Sequence, residues 1–483
     1  MERIKKQLRK LNGIPLNVWV VIGYFLCSLI QRGFSVLATP IFTRLMTPEE
    51  YGKYNIFYSW YEIFGVFVSM RIFYGCYSQG IVKFEADKER YTASMQGLSF
   101  ALVAVWMIVM RLFNSAFTNL TQLPSGQLTL MLILIWTSGV FSYWSTYQRT
   151  QMRVRALIIL TITAAFFKQG AGVLAVMRME DRVTGRILSW VIVEVVLYSG
   201  LFIRQIWKGR SFFDGKYWKY AVCFAFPLIP HYLSQTILAS SDRIMIERLA
   251  GSDAAGIYSL GYMVSLGMQI VNTALIHTLE PTVYRKIRDG KAGELRSIGI
   301  LSMGVVAASD LLLICLAPEL VRLFAPAAYK EAVDVIAPVT VSVFIMYMYT
   351  LFAEFEFYYE KKWTITLTTS LAAILNIALN ALCIPRFGWK AAAYTTLISY
   401  LCYTFLHYRM MCRICRQEMK IRPVYPPAEV FGLTALVLIL ALIVHVLYPW
   451  FWVRMMLLTG ACVVLILKRK MILKLGKETL VRK

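Results

Sequence analysis

Three basic side chains lie inside apolar runs of this 483-residue chain: Arg32, Arg71 and Lys168. Each run is long enough to cross a membrane as a helix. A charged side chain near the centre of a bilayer costs about 2.5–3.5 kcal/mol on insertion scales, so such residues usually face a bundle interior or a water-filled cavity. Three cations on three different helices favour one shared polar cavity, suited to an anion, over three separate ion pairs. Structural pairing with carboxylates is the alternative for each of them.

Acidic residues also fall within these runs, namely Glu62, Glu194, Asp310, Glu354 and Glu356. A carboxylate within the membrane is a natural carrier of a proton or a sodium ion. Asp310 and Glu354 are therefore candidates for ion coupling, with H+ or Na+ as the coupling ion and no other cofactor. Pairing with a basic residue is an equally reasonable role for Asp310.

The composition requires that membrane-spanning helices position these residues. Hydrophobic residues make up 58% of the chain and charged residues 16%, against about 45–50% and about 25% in soluble domains. At roughly 20 apolar residues per span, the chain fits about fourteen spans and leaves no room for a soluble catalytic domain. The 51 basic and 27 acidic residues indicate membrane topology and anionic lipid headgroups as partners and no nucleic acid, because the basic residues stand in short clusters between apolar runs.

The distribution of charge predicts how the spans are oriented. With the N-terminus placed inside, Lys and Arg number 35 in the alternate inner segments and 12 in the outer ones. This bias predicts that both termini are cytoplasmic, under the positive-inside rule. The predicted helices lie at 17–40, 54–76, 92–113, 128–148, 156–177, 183–203, 219–241, 255–279, 298–321, 332–358, 363–384, 391–410, 429–448 and 452–467.

A sparse internal repeat appears at an offset of 204 residues. The segment 44–58 aligns with the segment 248–262, and Gly52 falls on Gly256. The first segment joins helices 1 and 2, and the second joins helices 7 and 8 in the same orientation. The sequence therefore predicts a tandem repeat of two helical halves.

This repeat predicts two six-helix lobes in parallel repeat, at 1–210 and 211–422. Two further helices and a basic C-terminal tail follow at 423–483. The predicted fold class is an all-α, polytopic membrane protein of about fourteen transmembrane helices. Transporters of this kind place the substrate between their lobes.

Two stretches resemble the polysaccharide flippases of the multidrug/oligosaccharidyl-lipid/polysaccharide exporter superfamily. They read PIFTRLMTPEEYGKYNIF at 40–57 and FPLIPHYLSQTILASSDRIMIERLAGSDAAGIYSLGY at 226–262. The resemblance implies a two-lobed transporter of a bacterial cell membrane. Such a protein moves an undecaprenyl-diphosphate-linked oligosaccharide, or a related lipid-linked glycan, from the cytoplasmic to the outer leaflet. The implied partners are that lipid-diphosphate-linked glycan, membrane lipids and other glycan-assembly proteins.

The resemblance suggests a ligand for the intramembrane cations. A lipid diphosphate carries about two negative charges, which fixed cations stabilise far better than hydrocarbon does. Arg32, Arg71 and Lys168 are the candidates, and Gln31 beside Arg32 suits the headgroup or sugar hydroxyls. The related lipid II flippases also use cavity arginines on the first helix, which favours Arg32 by resemblance.

The seventh predicted helix carries a second polar face. Pro227 and Pro230 are expected to kink this helix. His231 and Gln235 lie four residues apart on one side of it, where either could hydrogen-bond a sugar. Bonding the carbonyls that the prolines leave free is an equally good role.

The outer end of the same helix carries Asp242 and Arg243. We expect these residues to pair with each other or across the gap between the lobes. They are candidates for gating.

Two other functions fit parts of this pattern. A cation-coupled multidrug exporter of the same superfamily would need net acidic cavity chemistry, whereas the first lobe presents more cations than carboxylates. A membrane glycan polymerase or ligase would need a long outer loop for its catalytic residues, and the longest predicted outer connection, 113–127, is too short. No catalytic motif interrupts the spans, so we do not expect an enzyme.

Overall fold

A computed structural model describes residues 30, 33–151 and 153–467, with the backbone alone for Val154, Lys362 and 461–467. All regular elements within these residues are helices, and no strand occurs among them. The predicted all-α class is therefore confirmed. Gln31 and Arg32 lie outside the described residues, as do most of the first predicted helix and the tail from 468 onwards.

The described chain divides into two compact units. Unit 1 comprises residues 33–46 and 57–232. Its longest helices pack side by side, with α8 against α7, α6 and α4. The helices are α1 at 33–45, the later part of α2 (Pro48–Ser69), α3 (Gly75–Lys83), α4 (Lys88–Leu112), α5 (Asn114–Thr121), α6 (Ser125–Thr150), α7 (Val154–Arg178), α8 (Arg182–Gly209) and α9 (Gly215–Ala225).

Unit 2 comprises residues 47–56 and 233–467, so it includes the first part of α2. Its centre is α15, which packs against α17, α11 and α13. The helices are the part of α10 (Ile229–Ala250) from Leu233 onwards, α11 (Ser252–Leu266), α12 (Gln269–Arg288), α13 (Leu295–Cys315), α14 (Ala317–Phe324), α15 (Val333–Tyr358), α16 (Lys362–Phe387), α17 (Ala391–Gln417), α18 (Pro427–Val446) and α19 (Phe451–Leu467). The predicted lobe boundaries stay a prediction.

Ten helical segments within the described residues are long and apolar enough to cross a membrane. These match the predicted helices 3 to 11 and 13, which confirms a multi-pass membrane protein. Predicted helices 2, 12 and 14 fall on α2, α17 and α19, which are not among the ten, and the total of fourteen stays a prediction. The ten are Glu85–Leu112, Ser125–Thr150, Arg155–Arg178, Arg182–Gly209, Gly215–Ala250, Ser252–Arg288, Ala292–Cys315, Ala327–Tyr358, Trp363–Phe387 and Pro427–Val446.

Helix α2 starts and ends earlier than the sequence predicts. It starts at Pro48 because Thr47 and Glu50 form a capping box, in which the Glu50 side chain accepts from Thr47 N at 2.8 Å and the Thr47 hydroxyl accepts from Glu50 N at 3.2 Å. It ends at Ser69 because Met70 and Arg71 adopt left-handed backbone angles, with φ of 48° and 45°. No Gly or Pro marks this break, so the hydropathy pattern could not reveal it.

The predicted kink in the seventh helix is confirmed. Helix α9 ends at Ala225, a 3-10 turn covers Phe226–Leu228, and α10 starts at Ile229. Pro227 lies within this turn. Proline has no backbone N–H and cannot continue an α-helical ladder, which explains the interruption.

The repeat-related glycines Gly52 and Gly256 face each other within unit 2. A Cβ on Gly52 would lie 2.0 Å from the Ser252 carbonyl oxygen, and a Cβ on Gly256 would lie 2.0 Å from the Pro48 carbonyl oxygen. Pro48 and Ser252 are themselves 204 residues apart. The contact is thus symmetric with respect to the repeat, and only glycine lets α2 and α11 approach this closely.

Replacing Gly52 with alanine should destabilise the protein. The added methyl group would overlap the Ser252 carbonyl, and forced overpacking typically costs about 1–3 kcal/mol. We expect a lower midpoint of thermal unfolding for Gly52→Ala purified in detergent. The measurement is tryptophan fluorescence as a function of temperature.

The matched control is Gly65→Ala on the same helix, because nothing lies within 4 Å of a Cβ there. Alanine favours a helix over glycine by up to about 1 kcal/mol, so this variant should be as stable as the parent or slightly more so. Equal thermal midpoints for the two variants would contradict the close contact.

Candidate functional site

Lys168 on α7 forms an ion pair with Glu194 on α8 in unit 1. The Lys168 ammonium bonds Glu194 Oε1, which also accepts from Trp190 Nε1 at 2.9 Å. Glu194 Oε2 accepts from the hydroxyls of Thr137 at 2.5 Å and Ser138 at 3.3 Å. The carboxylate side chain is only 2% exposed and the lysine side chain is 20% exposed. A saturated, buried carboxylate therefore holds a cation that is still partly accessible.

Aromatic rings surround this pair. The Trp190 ring stacks on Tyr58, with centroids 6.0 Å apart, and meets the edge of Tyr61 at 5.4 Å. The Tyr61 hydroxyl donates to Ser138 at 2.8 Å, and the Lys168 ammonium lies 5.7 Å from the Trp190 ring. Cation–π attraction adds to the ion pair in fixing the ammonium.

Arg71 occupies the break between α2 and α3. Its Nη2 lies 3.0 Å from Glu62 Oε2, and both side chains are partly exposed, at 17% and 30%. Its Nη1 donates to the Tyr74 hydroxyl at 3.2 Å, and the Tyr74 ring stacks on Tyr232 at 6.0 Å. The left-handed backbone thus holds a guanidinium beside a carboxylate and an aromatic ring.

Neighbouring residues on one turn of α2 take part in the contacts of the two ion pairs. Tyr61 reaches the Glu194 cluster through Ser138, and its neighbour Glu62 bonds Arg71. Each of these two cations pairs with a carboxylate. Such structural pairing is the alternative that the sequence left open to a shared anion cavity. Whether these groups line a substrate cavity stays a prediction.

Asp242 is the centre of a buried polar cluster in unit 2. Its side chain is only about 1% exposed. Oδ2 accepts from the hydroxyls of Tyr258 at 2.8 Å and Thr396 at 2.6 Å, and Oδ1 accepts from Asn380 Nδ2 at 2.7 Å. These donors are on α11, α17 and α16, so three helices converge on one carboxylate of α10.

A second layer of amide and hydroxyl groups extends this cluster. Asn376 Oδ1 accepts from Ser241 at 3.0 Å and from Asn380 at 3.3 Å. The Thr395 hydroxyl donates to Asn380 Oδ1. Several side-chain oxygens therefore lie within one buried volume, as in the oxygen-only sites that hard cations prefer.

Arg243 follows Asp242 on α10. Asp242 accepts hydrogen bonds from Tyr258, Thr396 and Asn380, and the charge of Arg243 also acts on it electrostatically. The Arg243 guanidinium donates to the Ala239 carbonyl at 3.0 Å and lies 4.7 Å from the Tyr262 ring. A gating role for either residue stays a prediction.

Asp310 and Glu354 have different surroundings. Asp310 on α13 is fully buried, and neither of its oxygens has a hydrogen-bond partner among the described residues. An unpaired charge at such a site is costly. Glu354 on α15 is also buried and interacts with Tyr284. Their roles in ion coupling stay a prediction.

His231 and Gln235 lie on the first two turns of α10. His231 is half-buried with its ring 5.7 Å from Tyr232, and Gln235 is exposed. The proposed contacts of these residues with sugar stay a prediction.

Sequence reasoning missed the partners of the intramembrane acids. Tyr258 and Thr396 bond Asp242, and His407 lies 2.5 Å from Glu356. The available signal was weak: Glu356 and His407 fall near the same end of two predicted helices. Hydropathy identifies a span but does not say towards which neighbour each residue points.

Comparisons with known proteins show which family and which solved structures are similar to this chain. The family model described as "Polysaccharide biosynthesis protein" matches residues 20–286. No curated protein sequence matches the chain. The fold is similar to that of the lipid II flippase MurJ in an inward closed conformation, with a TM-score of 0.68 and 14% identity, covering 94% of this chain and 100% of that one.

Two further solved structures share the fold. One is the Vibrio cholerae MATE transporter VcmN, with a TM-score of 0.55 and 11% identity over 83% of this chain and 96% of that one. The other is a MOP superfamily transporter from Pyrococcus furiosus, with a TM-score of 0.52 and 12% identity over 84% of this chain and 96% of that one. At these identities the likeness establishes the fold.

Proposed function

Because the chain belongs to the family of polysaccharide biosynthesis proteins, we propose that it flips a lipid-linked glycan across the membrane. The cargo is an undecaprenyl-diphosphate-linked oligosaccharide or a related glycan lipid. It moves from the cytoplasmic to the outer leaflet of a bacterial cell membrane by alternating access. The MOP-superfamily fold supports a transporter, and the absence of any catalytic motif in the sequence agrees with a protein that is not an enzyme.

The observation that carries this proposal is the pairing of Arg71 and Lys168 in unit 1. Each cation lies in a membrane protein, is partly exposed, and has a carboxylate as its partner. Phosphate oxygens are charged acceptors like carboxylate oxygens. A diphosphate can therefore replace Glu62 and Glu194 as the partner of these cations when the cargo enters.

The two cations suit different parts of the headgroup. The planar guanidinium of Arg71 can bind a phosphate through two parallel hydrogen bonds, whereas the Lys168 ammonium acts as a compact point charge. Arg32 and Gln31 of the first helix, together with His231 and Gln235, complete the proposed substrate-binding set. The predicted excess of basic residues on the inner side would concentrate an anionic headgroup there before loading.

A multidrug exporter is the rival function because exporters of that kind share the fold. A cationic drug would need net negative chemistry, whereas the described intramembrane acids of unit 1, Glu62 and Glu194, are already matched by cations. The polysaccharide family model favours the glycan lipid.

The Asp242 cluster supports Na+ as the coupling ion. A cation there would be held by the carboxylate together with the hydroxyl oxygens of Tyr258 and Thr396, which now donate to Asp242 as Asn380 Nδ2 does. The unpartnered Asp310 suits a proton better than a metal ion, because no second oxygen ligand bonds it among the described residues.

Removing the first-unit cations should impair export without affecting membrane insertion. Losing a hydrogen bond to a charged group costs about 1.5–3 kcal/mol, so we expect Arg71→Ala and Lys168→Ala to lower export at least about tenfold. Arg32→Ala should be the most sensitive. The measurement is surface glycan in complemented knock-out cells, with protein abundance checked by immunoblot.

A charge swap separates substrate binding from structural pairing. Arg71→Glu combined with Glu62→Arg keeps an ion pair but moves the cation, so export should stay low if the cation binds cargo. Lys53→Ala is the control, because Lys53 pairs with Glu49 and both side chains are more than half exposed. Full export by the swapped pair, or by all three alanine variants at normal abundance, would contradict the proposal.

Na+ should stabilise the protein through Asp242. A ligand at about 100 times its dissociation constant adds about 2.7 kcal/mol to the free energy of unfolding. We expect a higher thermal midpoint in NaCl than in KCl of equal ionic strength. Asp242→Asn and Thr396→Val should remove that difference, while Asp310→Asn should retain it.

The opposite pattern would contradict the Na+ site. If wild type responds equally to both salts, or if Asp242→Asn keeps the full response, Asp242 does not bind Na+. Loss of the response in Asp310→Asn alone would assign the ion to Asp310 instead.

A further inference from the structure

A buried glutamate–histidine pair in unit 2 has no part in the proposed function. Glu356 on α15 and His407 on α17 are both fully buried, and Glu356 Oε1 lies 2.5 Å from His407 Nδ1. These two helices pack closely along their length. The pair therefore lies at one of the main packing surfaces of the unit.

Each member of the pair has one polar atom without a partner. Glu356 Oε2 and His407 Nε2 are buried and have no hydrogen-bond partner among the described residues. Buried polar atoms in folded proteins are almost always bonded, so each exception calls for an explanation. A purely structural role for this pair does not explain its two unsatisfied atoms.

The surroundings of the pair are mainly aromatic. The His407 ring lies 4.6 Å from the Tyr403 ring and 5.7 Å from the Tyr349 ring. These tyrosines are the titratable groups that face the pair from α17 and α15 among the described residues. Glu354, although close in sequence, interacts with Tyr284 on α12 instead.

Neighbouring helices contribute no ion partner to this pair among the described residues. On α16, the Thr369 hydroxyl lies 3.2 Å from the Tyr403 hydroxyl. No other ion pair within the described part of the chain involves Glu356 or His407. The charge balance of the site therefore depends on these two residues alone.

The net charge of this isolated pair depends on how many protons it holds. With one proton beyond the bare carboxylate and neutral imidazole, the pair is neutral as a whole. Loss of that proton leaves a net negative charge in an apolar site, and gain of another leaves a net positive charge, both of which burial disfavours. Burial in the closed site therefore favours the neutral state of the pair.

A weakly held turn separates the pair from one end of the bundle. The turn 359–361 follows α15, and Lys361 N donates to the Glu356 carbonyl at 2.9 Å. Glu360 adopts a left-handed backbone with φ of 52°. The Lys361 ammonium lies 2.7 Å from Glu418, and both side chains are more than a third exposed. An exposed ion pair of this kind contributes up to about 1 kcal/mol, so removing it should loosen the turn.

We propose that Glu356 and His407 form a proton-binding site that exchanges its proton when the turn 359–361 opens. In the closed site His407 Nδ1–H donates to Glu356 Oε1, and Nε2 carries the exchangeable proton. Entering water accepts that proton from Nε2 and donates to Glu356 Oε2. The two unpartnered atoms are thus those that water would bind. The charge pattern predicts this end to be cytoplasmic, so the ligand is a proton from that side.

The chain is well suited to a direct test because it contains only four histidines. Full-length protein with 15N-labelled histidine is reconstituted in lipid nanodiscs and titrated from about pH 5 to about pH 9, a range that spans the ordinary titration of histidine. His407→Gln identifies the His407 signal. The two ring-nitrogen signals of His407 report which nitrogen carries a proton at each pH, and we expect them to depend on pH.

The effect of Glu356 identifies the pair as the site. Glu356→Gln removes the carboxylate that lies against His407 Nδ1, so the ring-nitrogen signals of His407 should change. The matched control is the exposed pair His277–Glu280, whose charged atoms are 3.9 Å apart. Glu280→Gln should change the His277 signals much less. Lys361→Met should speed proton exchange at His407 severalfold by loosening the turn.

Three results would overturn the proposal: His407 signals in wild type that do not respond to pH, His407 signals that Glu356→Gln leaves unchanged, or proton exchange that Lys361→Met leaves unchanged. The first is read on the wild-type protein, so it decides the matter even if a variant fails to fold. Glu356→Asp, which keeps a carboxylate, replaces Glu356→Gln in that case and should retain the pH response of His407. None of these readouts depends on the identity of the transported glycan.

Discussion

An unpaired charge in a membrane interior is the constraint on which this structure depends. The described part of the chain meets it with charge pairs inside each unit. Lys168 bonds Glu194, and Arg71 bonds Glu62. Arg454, which the charge pattern counts among the outer residues, is only about 1% exposed and binds Glu319 through two hydrogen bonds of 2.8 and 2.7 Å. Pairing allows an apolar helix bundle to contain the polar groups that a transporter needs.

The two units use this pairing for different chemistry. In unit 1 both cations are partly exposed. The partner of Lys168, Glu194, is buried, whereas Glu62, the partner of Arg71, is the more exposed member of its pair. In unit 2 the acids are the central groups: Asp242 accepts from two hydroxyls and an amide, and Glu356 Oε1 lies 2.5 Å from His407 Nδ1. We infer that unit 1 recognises the headgroup and that unit 2 responds to small cations.

The sequence predicted the elements well and their mutual orientation poorly. Hydropathy identified the apolar helices, proline chemistry predicted the interruption at Pro227, and the repeat paired Gly52 with Gly256, which are in contact. The break at Arg71 was missed because it depends on left-handed backbone angles at residues that are neither glycine nor proline. The partners of the acids were missed because the rotation of each helix is set by packing, which one sequence does not specify.

The central claim is that carboxylates hold the first-unit cations until an anionic headgroup replaces them. Native mass spectrometry of the purified protein with undecaprenyl diphosphate and with uncharged undecaprenol tests it most directly, because the two lipids share a tail and differ in the headgroup. The account predicts that undecaprenyl diphosphate binds at least about tenfold more tightly than undecaprenol, equal to about 1.4 kcal/mol. Added salt should reduce this difference in affinity. Equal affinity for the two lipids would contradict it.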